Sequence, residues 1–191
     1  PGRPQHSPVI ERKIGVAISG IRAGLVTAGA PNCFWSFAGS CFATNMCFNN
    51  GAYQRVTDDH TNFKTFVFGQ LVFYRPAATI TKLVKTDNPL RPGIFLDYYI
   101  GPEGKFTGQY VVCDLSAFAG KNLHHRIGKE EFSKLSLHRT EVCRDPVQSA
   151  DVPLFPLREK YVRCNYTVEG LEKTLLKQRD ETELLDYGAL A

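Results

Sequence analysis

The chain has 191 residues, of which 43% are hydrophobic and 22% are charged, and its formal net charge is +4. This composition supplies enough apolar surface for one ordinary core or two small ones, so it excludes wholesale disorder. No run of about 18 apolar residues is present, and no basic stub with an apolar run opens the chain, so the sequence predicts neither a membrane span nor a secretion signal.

The first element predicted is an amphipathic helix over residues 8–28. Ser7 is its expected N-cap, Pro8 falls at its first position, and Gly29 before Ala30 and Pro31 is its expected stop. Three interior glycines weaken the helix, so it should depend on tertiary packing. The apolar residues that recur at spacings of three and four are Ile10, Ile14, Ala17, Ile21, Leu25 and Ala28.

A second, strongly apolar helix is predicted in "NCFWSFAGSCFATNMCF", with Trp35 in the core rather than in a ligand site. The following "NNGAYQRVTDDHTN" is polar and contains glycine, so a loop and a domain boundary are expected there.

The pattern then changes to short aromatic and β-branched runs. "FKTFVFGQLVFYRP", "PGIFLDYYI" and "GQYVVCDL" are typical of strands in a small antiparallel barrel, and "GPEGKFTG" supplies the turn between the last two. A basic linker follows, and leucines predict a last helix over about 168–186.

The six cysteines are scattered, without a C-x-x-C pair or a histidine at metal-ligand spacing. This spacing favours free thiols in a reducing compartment, so a nuclear or cytoplasmic protein is expected. The cysteines are Cys33, Cys41, Cys47, Cys113, Cys143 and Cys164.

The positive charge is concentrated between residues 61 and 92, where a single acid, Asp87, accompanies five bases. Such a surplus is either solvated surface or a site that contacts nucleic-acid phosphates. The five bases are Lys64, Arg75, Lys82, Lys85 and Arg91.

Four segments of the chain resemble, in the same order, the integrase of copia-like retrotransposons. "PGRPQHSPVIERK" is similar to the end of that family's catalytic core, P-Q-x-N-G-V-x-E-R-x-N-R, with matches at Pro4, Gln5, Val9, Glu11 and Arg12. "LVTAGAPNCFWSFA" resembles the next helix, while "FGQLVFYRP" and "RPGIFLDYYI" resemble strands of the small barrel that follows the core.

This resemblance implies a polynucleotidyl transferase with a ribonuclease H-like core, in which two Asp and one Glu hold two divalent metal ions for phosphoryl transfer. Glu11 matches the Glu of that triad. The two Asp of the family precede the Glu, and no Asp precedes Glu11 here. Ser7-Pro8 and Ile14-Gly15 also depart from the family's Asn-Gly and Asn-Arg, and Asp97 replaces a Gly.

The sequence therefore predicts an α+β fragment of a retrotransposon polyprotein: helices ending the integrase core over 1–58, a small Src-homology-3-like barrel over 59–118, and a linker with a partly helical tail over 119–191. It should be inactive alone, with Glu11 as an incomplete catalytic and metal-binding triad and with Mg²⁺ or Mn²⁺ bound only in the intact parent. The expected partners are the rest of the polyprotein and DNA, bound weakly and without sequence specificity; no membrane partner is expected. The predicted DNA contacts are Arg12, Lys64, Arg75, Lys82, Lys85 and Arg91.

The alternative is a non-enzymatic module that binds nucleic acid or protein through the barrel. Exposed aromatic residues of the strands would then stack on bases, although strand periodicity places about half of them in the core. The aromatic candidates are Phe68, Phe73, Tyr74, Tyr98 and Tyr99.

Overall fold

The computed structural model describes residues 7–57, 64–77, 88–146 and 152–163. Within these residues the fold is α+β, as predicted: helices come first and an antiparallel sheet follows. The helices are α1 (Pro8–Ala28), α2 (Trp35–Asn49), α3 (Ala52–Thr57) and α4 (Pro156–Arg163). The strands are β1 (Leu71–Tyr74), β2 (Arg91–Ile100), β3 (Phe106–Asp114), β4 (Leu137–Thr140) and β5 (Cys143–Arg144).

Both predicted boundaries of α1 are confirmed. Ser7 is extended and precedes Pro8, and Gly29 ends the helix in the left-handed conformation, with φ 67°. The predicted apolar face is buried only in the second half of the helix, whereas Ile10 and Ile14 are 59% and 53% exposed. The first turns of α1 therefore present apolar side chains to solvent.

Helix α2 is confirmed, but the placement of its tryptophan in the core is wrong. The side chains of Phe34, Ala38, Cys41 and Phe48 are buried, and Trp35 is 43% exposed. Since the buried residues follow a spacing of three to four or seven, the position directly after Phe34 falls outside their face of the helix.

The loop predicted after α2 is wrong for residues 52–57, which form α3. The Asn50 side chain accepts a hydrogen bond from the Ala52 N–H (2.9 Å), which satisfies one of the backbone donors left free at the start of α3. The Tyr53 ring packs edge-on against Phe48 at 4.9 Å between centroids, and its hydroxyl accepts a hydrogen bond from the Phe106 N–H (2.9 Å). Burial of this one side chain overrides the polar character of the segment.

The predicted strands are found as β1, β2 and β3, and the glycine-rich turn joins β2 to β3. Gly104 in this turn has a φ of 74°, which suits glycine. The first strand is shorter than predicted, because strand pairing begins only at Leu71. Strands β4 and β5, in the segment predicted as linker, were missed.

In the described residues the sheet is open and has the order β4-β3-β2-β1-β5, and the predicted closure into a barrel is not shown. It is nevertheless strongly curved. In a flat sheet, β4 and β5 would lie about 19 Å apart. Only Glu141 and Val142 separate Thr140 from Cys143, and three peptide units span at most about 11 Å. A hydrogen bond from the Thr140 hydroxyl to the Arg75 carbonyl (2.9 Å) links the end of edge strand β4 to the residue after β1.

Side chains from α1, α2 and the sheet form one hydrophobic core. Tyr98 connects its parts: its hydroxyl accepts a hydrogen bond from the Phe66 N–H (2.7 Å) and donates one to Asn45 Oδ1 (2.8 Å). The assignment of α1 and α2 to a ribonuclease H-like core, and the division at residues 58 and 118, stay predictions.

Helix α4 was not predicted, and it contributes the buried side chain of Leu157 to the core. The helix predicted over 168–186 lies outside the described residues. Within the described ranges, every helix is too short or too polar to cross a bilayer.

Gly69 provides a test of the contact between α1 and the segment before β1. Its φ is 79°, and a Cβ added there would overlap the Cβ of Ala28. Gly69→Ala should therefore lower the free energy of unfolding by about 2–3 kcal/mol, from backbone strain and the overlap together. Chemical denaturation of both proteins measures this difference.

Gly104→Ala is the matched control, because Gly104 has a similar φ of 74° and no atom near the position of an added Cβ. It should cost only the backbone strain, about 1 kcal/mol. Equal losses in the two variants would show that the contact with Ala28 carries no constraint.

Candidate nucleic-acid interface

Glu11, the predicted metal ligand, lies in the exposed first turn of α1. Nowhere in the described ranges do three or more His, Cys, Asp or Glu side chains form a group that could hold a metal ion. The residues described here thus do not fit a two-metal site. Arg12 is exposed beside Glu11 and belongs to a helix that packs mainly on α2 and α4, not on the sheet.

Lys64 is paired with an acid. Its ammonium forms an ion pair with Asp145, which also accepts a hydrogen bond from the Gln70 amide. The same ammonium lies 5.5 Å from the centroid of the Phe66 ring. A phosphate at Lys64 would have to compete with Asp145 for this charge.

Arg75 and Arg91 are brought together by the sheet. Arg91 begins β2 and pairs with Tyr74, the last residue of β1, so that it lies next to Arg75 at the same end of the sheet. Lys82 and Lys85 lie outside the described residues.

A third arginine joins this pair, and sequence reasoning missed it. Arg144 on β5 pairs with Phe73, one residue before Tyr74. All three arginines are exposed, and none forms an ion pair with an acid in the part of the chain that the structure describes. We call Arg75, Arg91 and Arg144 the arginine rim. The register places Arg75 and Arg144 on the face of Phe73 and Arg91 on the face of Tyr74, so the rim carries three positive charges at one end of the sheet, divided between its two faces.

The aromatic residues are mainly core, as the strand period predicts. Phe68, Tyr74 and Tyr98 are buried, whereas Phe73 and Tyr99 are partly exposed. Tyr99 is covered on one side by Arg139, whose Cζ lies 4.0 Å from the ring centroid.

A largely buried polar cluster of Tyr74, Asp114 and His138 lies near the rim. The Tyr74 hydroxyl donates a hydrogen bond to Asp114 (2.6 Å), and His138 Nε2 lies 3.5 Å from the other oxygen of this carboxylate. Burial, together with the bond to Asp114, raises the pKa of Tyr74. The His138 side chain is only 4% exposed, whereas the Asp114 side chain is 24% exposed, so the carboxylate is the part of this cluster that meets solvent.

Two of the described cysteines, Cys113 and Cys143, are kept unreactive by burial. Cys33, Cys41, Cys47, Cys113 and Cys143 are free thiols, which confirms the prediction for these five. Burial raises the pKa of Cys113 and of Cys143 to about 12, so both stay protonated at neutral pH.

A surface cavity of about 470 Å³ lies between the start of α2 and the segment before β4. Phe34, Phe37 and Phe132 line it, and its charged side chains are Lys129 and Glu130. Because these two charges oppose each other, the cavity offers no preference for a polyanion.

Asp97 is a buried carboxyl whose titration is testable. Burial raises its pKa above the ordinary value of 3.8, although hydrogen bonds from Ser40 and the Tyr98 N–H oppose this effect. A raised pKa in the folded state adds stability below the unfolded pKa, and this stability is lost as the pH rises through the folded pKa. Asp97→Asn keeps a hydrogen-bond acceptor and removes the ionisable group. The melting temperature of this variant minus that of the parent protein should therefore be larger at neutral pH than below pH 3.8.

Thermal melts of both proteins between acid and neutral pH measure this difference. Glu103→Gln, at an exposed acid in the turn after β2, is the control for the removal of one carboxylate from the surface. A melting-temperature difference that is constant with pH would mean that Asp97 is not destabilised by burial.

Comparison with known proteins identifies no relative: no family model, no curated protein and no solved structure matches the chain.

Proposed function

We propose that the chain is a nucleic-acid-binding part of a copia-like retrotransposon integrase, working inside the cell and holding DNA for a reaction whose catalytic site it does not complete alone. The proposed binding of nucleic acid is based on the arginine rim. Support for the parentage is the ordered series of four sequence resemblances, from "PGRPQHSPVIERK" to "RPGIFLDYYI".

The chemistry of the rim suits phosphate. An arginine guanidinium is planar and permanently charged, and it donates two parallel hydrogen bonds to phosphate oxygens. Contacts of this kind hold a backbone and carry no base information, so binding is independent of sequence. Release of counterions makes such binding strongly dependent on salt.

Metal-dependent phosphoryl transfer needs more carboxylates than the single one of Glu11. A two-metal phosphoryl transfer requires carboxylates that hold both ions on either side of the reacting phosphate. Mg²⁺ also keeps several of its waters unless carboxylates and substrate phosphates replace them together. One exposed carboxylate therefore does not assemble the site.

A protein-binding role, the second candidate, is favoured by the first half of α1. Val9, Ile10, Ile14 and Val16 are all more than half exposed there. Apolar side chains grouped on one helix are typical of a contact with another protein. In the proposed parent, the contact would be with the remainder of the integrase.

The arginine rim can be tested by substitution. Changing Arg75, Arg91 and Arg144 together to Gln should weaken binding of duplex DNA. If all three contact phosphates, the slope of log K against log salt should fall in magnitude by about 2.7, at about 0.9 per contact. Titrations followed by fluorescence anisotropy between about 50 and 200 mM salt measure both effects.

The control removes the same charge from three exposed bases outside the strands, Arg22, Arg126 and Lys134. If this control variant loses as much affinity and slope as the rim variant, net charge rather than the rim holds the DNA. If the parent protein shows no binding at low salt, the binding role is wrong.

The proposed absence of catalysis by the chain alone is also testable. The purified chain should show no metal-dependent nicking or strand transfer on element-end DNA, and Glu11→Gln should change neither this result nor the melting temperature in added Mg²⁺ or Mn²⁺. Gel assays and thermal melts test both statements. Cleavage by the chain that Glu11→Gln abolishes would contradict the proposed absence of a complete site.

Parentage has its own test in the coding sequence upstream of Pro1. Two in-frame Asp codons at integrase spacing would support the proposed parent, and fusion of that segment should create a metal-dependent activity that requires Glu11. An unrelated upstream sequence would leave only the binding role.

A further inference from the structure

An arginine stacked on a tyrosine lies on the outer face of the sheet. Arg139, on edge strand β4, places its Cζ 4.0 Å from the centroid of the half-buried Tyr99 ring. This distance is well within the range of a cation–π contact, which is about 6 Å. Because Arg139 is exposed, the side of its guanidinium away from the ring is accessible to a ligand.

Strand register explains how the two side chains meet. Arg139 on β4 pairs with Val111 on β3, and β3 pairs on its other side with β2, which carries Tyr99. The pairing of β2 with β3 is irregular between Tyr98 and Ile100, so the position of Tyr99 is not set by simple alternation along the strand. The long side chain of Arg139 spans the width of β3 to reach the Tyr99 ring.

The charges near this pair largely cancel. Lys105 and Glu103 lie in the exposed turn that joins β2 to β3, and Glu141 is exposed directly after β4. With Arg139 these make two positive and two negative side chains. A ligand at this position is therefore recognised by its flat surface more than by a negative charge.

We infer that Tyr99 and Arg139 form a stacking site for an unpaired nucleobase, and that the preferred partner is single-stranded nucleic acid. The inference rests on the proposed nucleic-acid binding and adds the form of the ligand. Unpaired bases stack on aromatic rings and on guanidinium planes, whereas the bases of a duplex have both faces covered by their neighbours.

The arginine rim lies within reach of the same strand of nucleic acid. Arg91 begins β2 and Tyr99 lies eight residues further along it, roughly 26 Å in an extended strand. A few nucleotides span this length, which is in keeping with the roughly 4–16 nucleotides that one single-strand-binding fold covers. The rim would then hold phosphates while the stacking site holds a base.

Arg139→Lys separates stacking from charge. Lysine keeps the positive charge but lacks the planar group, so it should lose the base contact and keep the electrostatic one. The probes are a fluorescent oligothymidylate of about 12 nucleotides and a duplex of the same length, titrated against the whole chain by anisotropy.

The parent protein should bind the single strand about tenfold more tightly than the duplex, and Arg139→Lys should remove most of this preference. The affinity for duplex and the salt slope should stay as they were. Tyr99→Leu, with its fold checked by circular dichroism and a thermal melt, should show the same loss. Arg126→Lys, at an exposed arginine in the loop after β3, should change nothing.

Each outcome is decisive. If Arg139→Lys binds the single strand as tightly as the parent protein does, or if the parent protein shows no preference over duplex, the stacking site is wrong while duplex binding still supports the proposed function. If neither probe binds at low salt, the proposed function fails, and the stacking site fails with it.

Discussion

The hydroxyl group of Tyr98 joins three parts of the chain that are distant in sequence. It accepts a hydrogen bond from Phe66 and donates one to Asn45, whose amide donates to the Phe66 carbonyl (3.0 Å). The ring packs edge-on against Phe48 on α2 at 5.3 Å and against Phe106 on β3 at 5.7 Å. Strand β2, which carries Arg91 and Tyr99 at its two ends, is held against the helices by this residue, since an unpaired buried N–H at Phe66 would cost about 1–3 kcal/mol.

Local chemistry made much of the fold predictable. Pro8 and Gly29 set the ends of α1, and the glycines after Ile100 indicated the hairpin, because each acts through the conformation of its own backbone. Tertiary contacts decided what was missed. Packing of Tyr53 against Phe48 stabilises a helix in a polar segment. The two residues of β5 form a strand because they pair with β1. No local pattern indicates either of these.

Prediction of the candidate site from the sequence is limited in the same way, because tertiary contacts decide which charged residues are free. A count of charges along the sequence selects Lys64, which the fold pairs with Asp145, and omits Arg144, which the fold places beside β1. Alternation along β2 indicates that about half of its aromatic residues face outwards. It does not indicate that Tyr99 is one of them or that Arg139 reaches it from two strands away.

The pairing of β1 with β5 has a consequence for biosynthesis. As the chain leaves a ribosome, β1, β2 and β3 emerge long before Cys143 and Arg144, so the outer edge of β1 has no strand to bond in the nascent protein. Unpaired edges recruit strands from other chains, and long-range pairing is slow to form. The two residues of β5 cover the edge of β1 at Phe73 and Tyr74, and a translation product that stops before them would leave this edge unpaired.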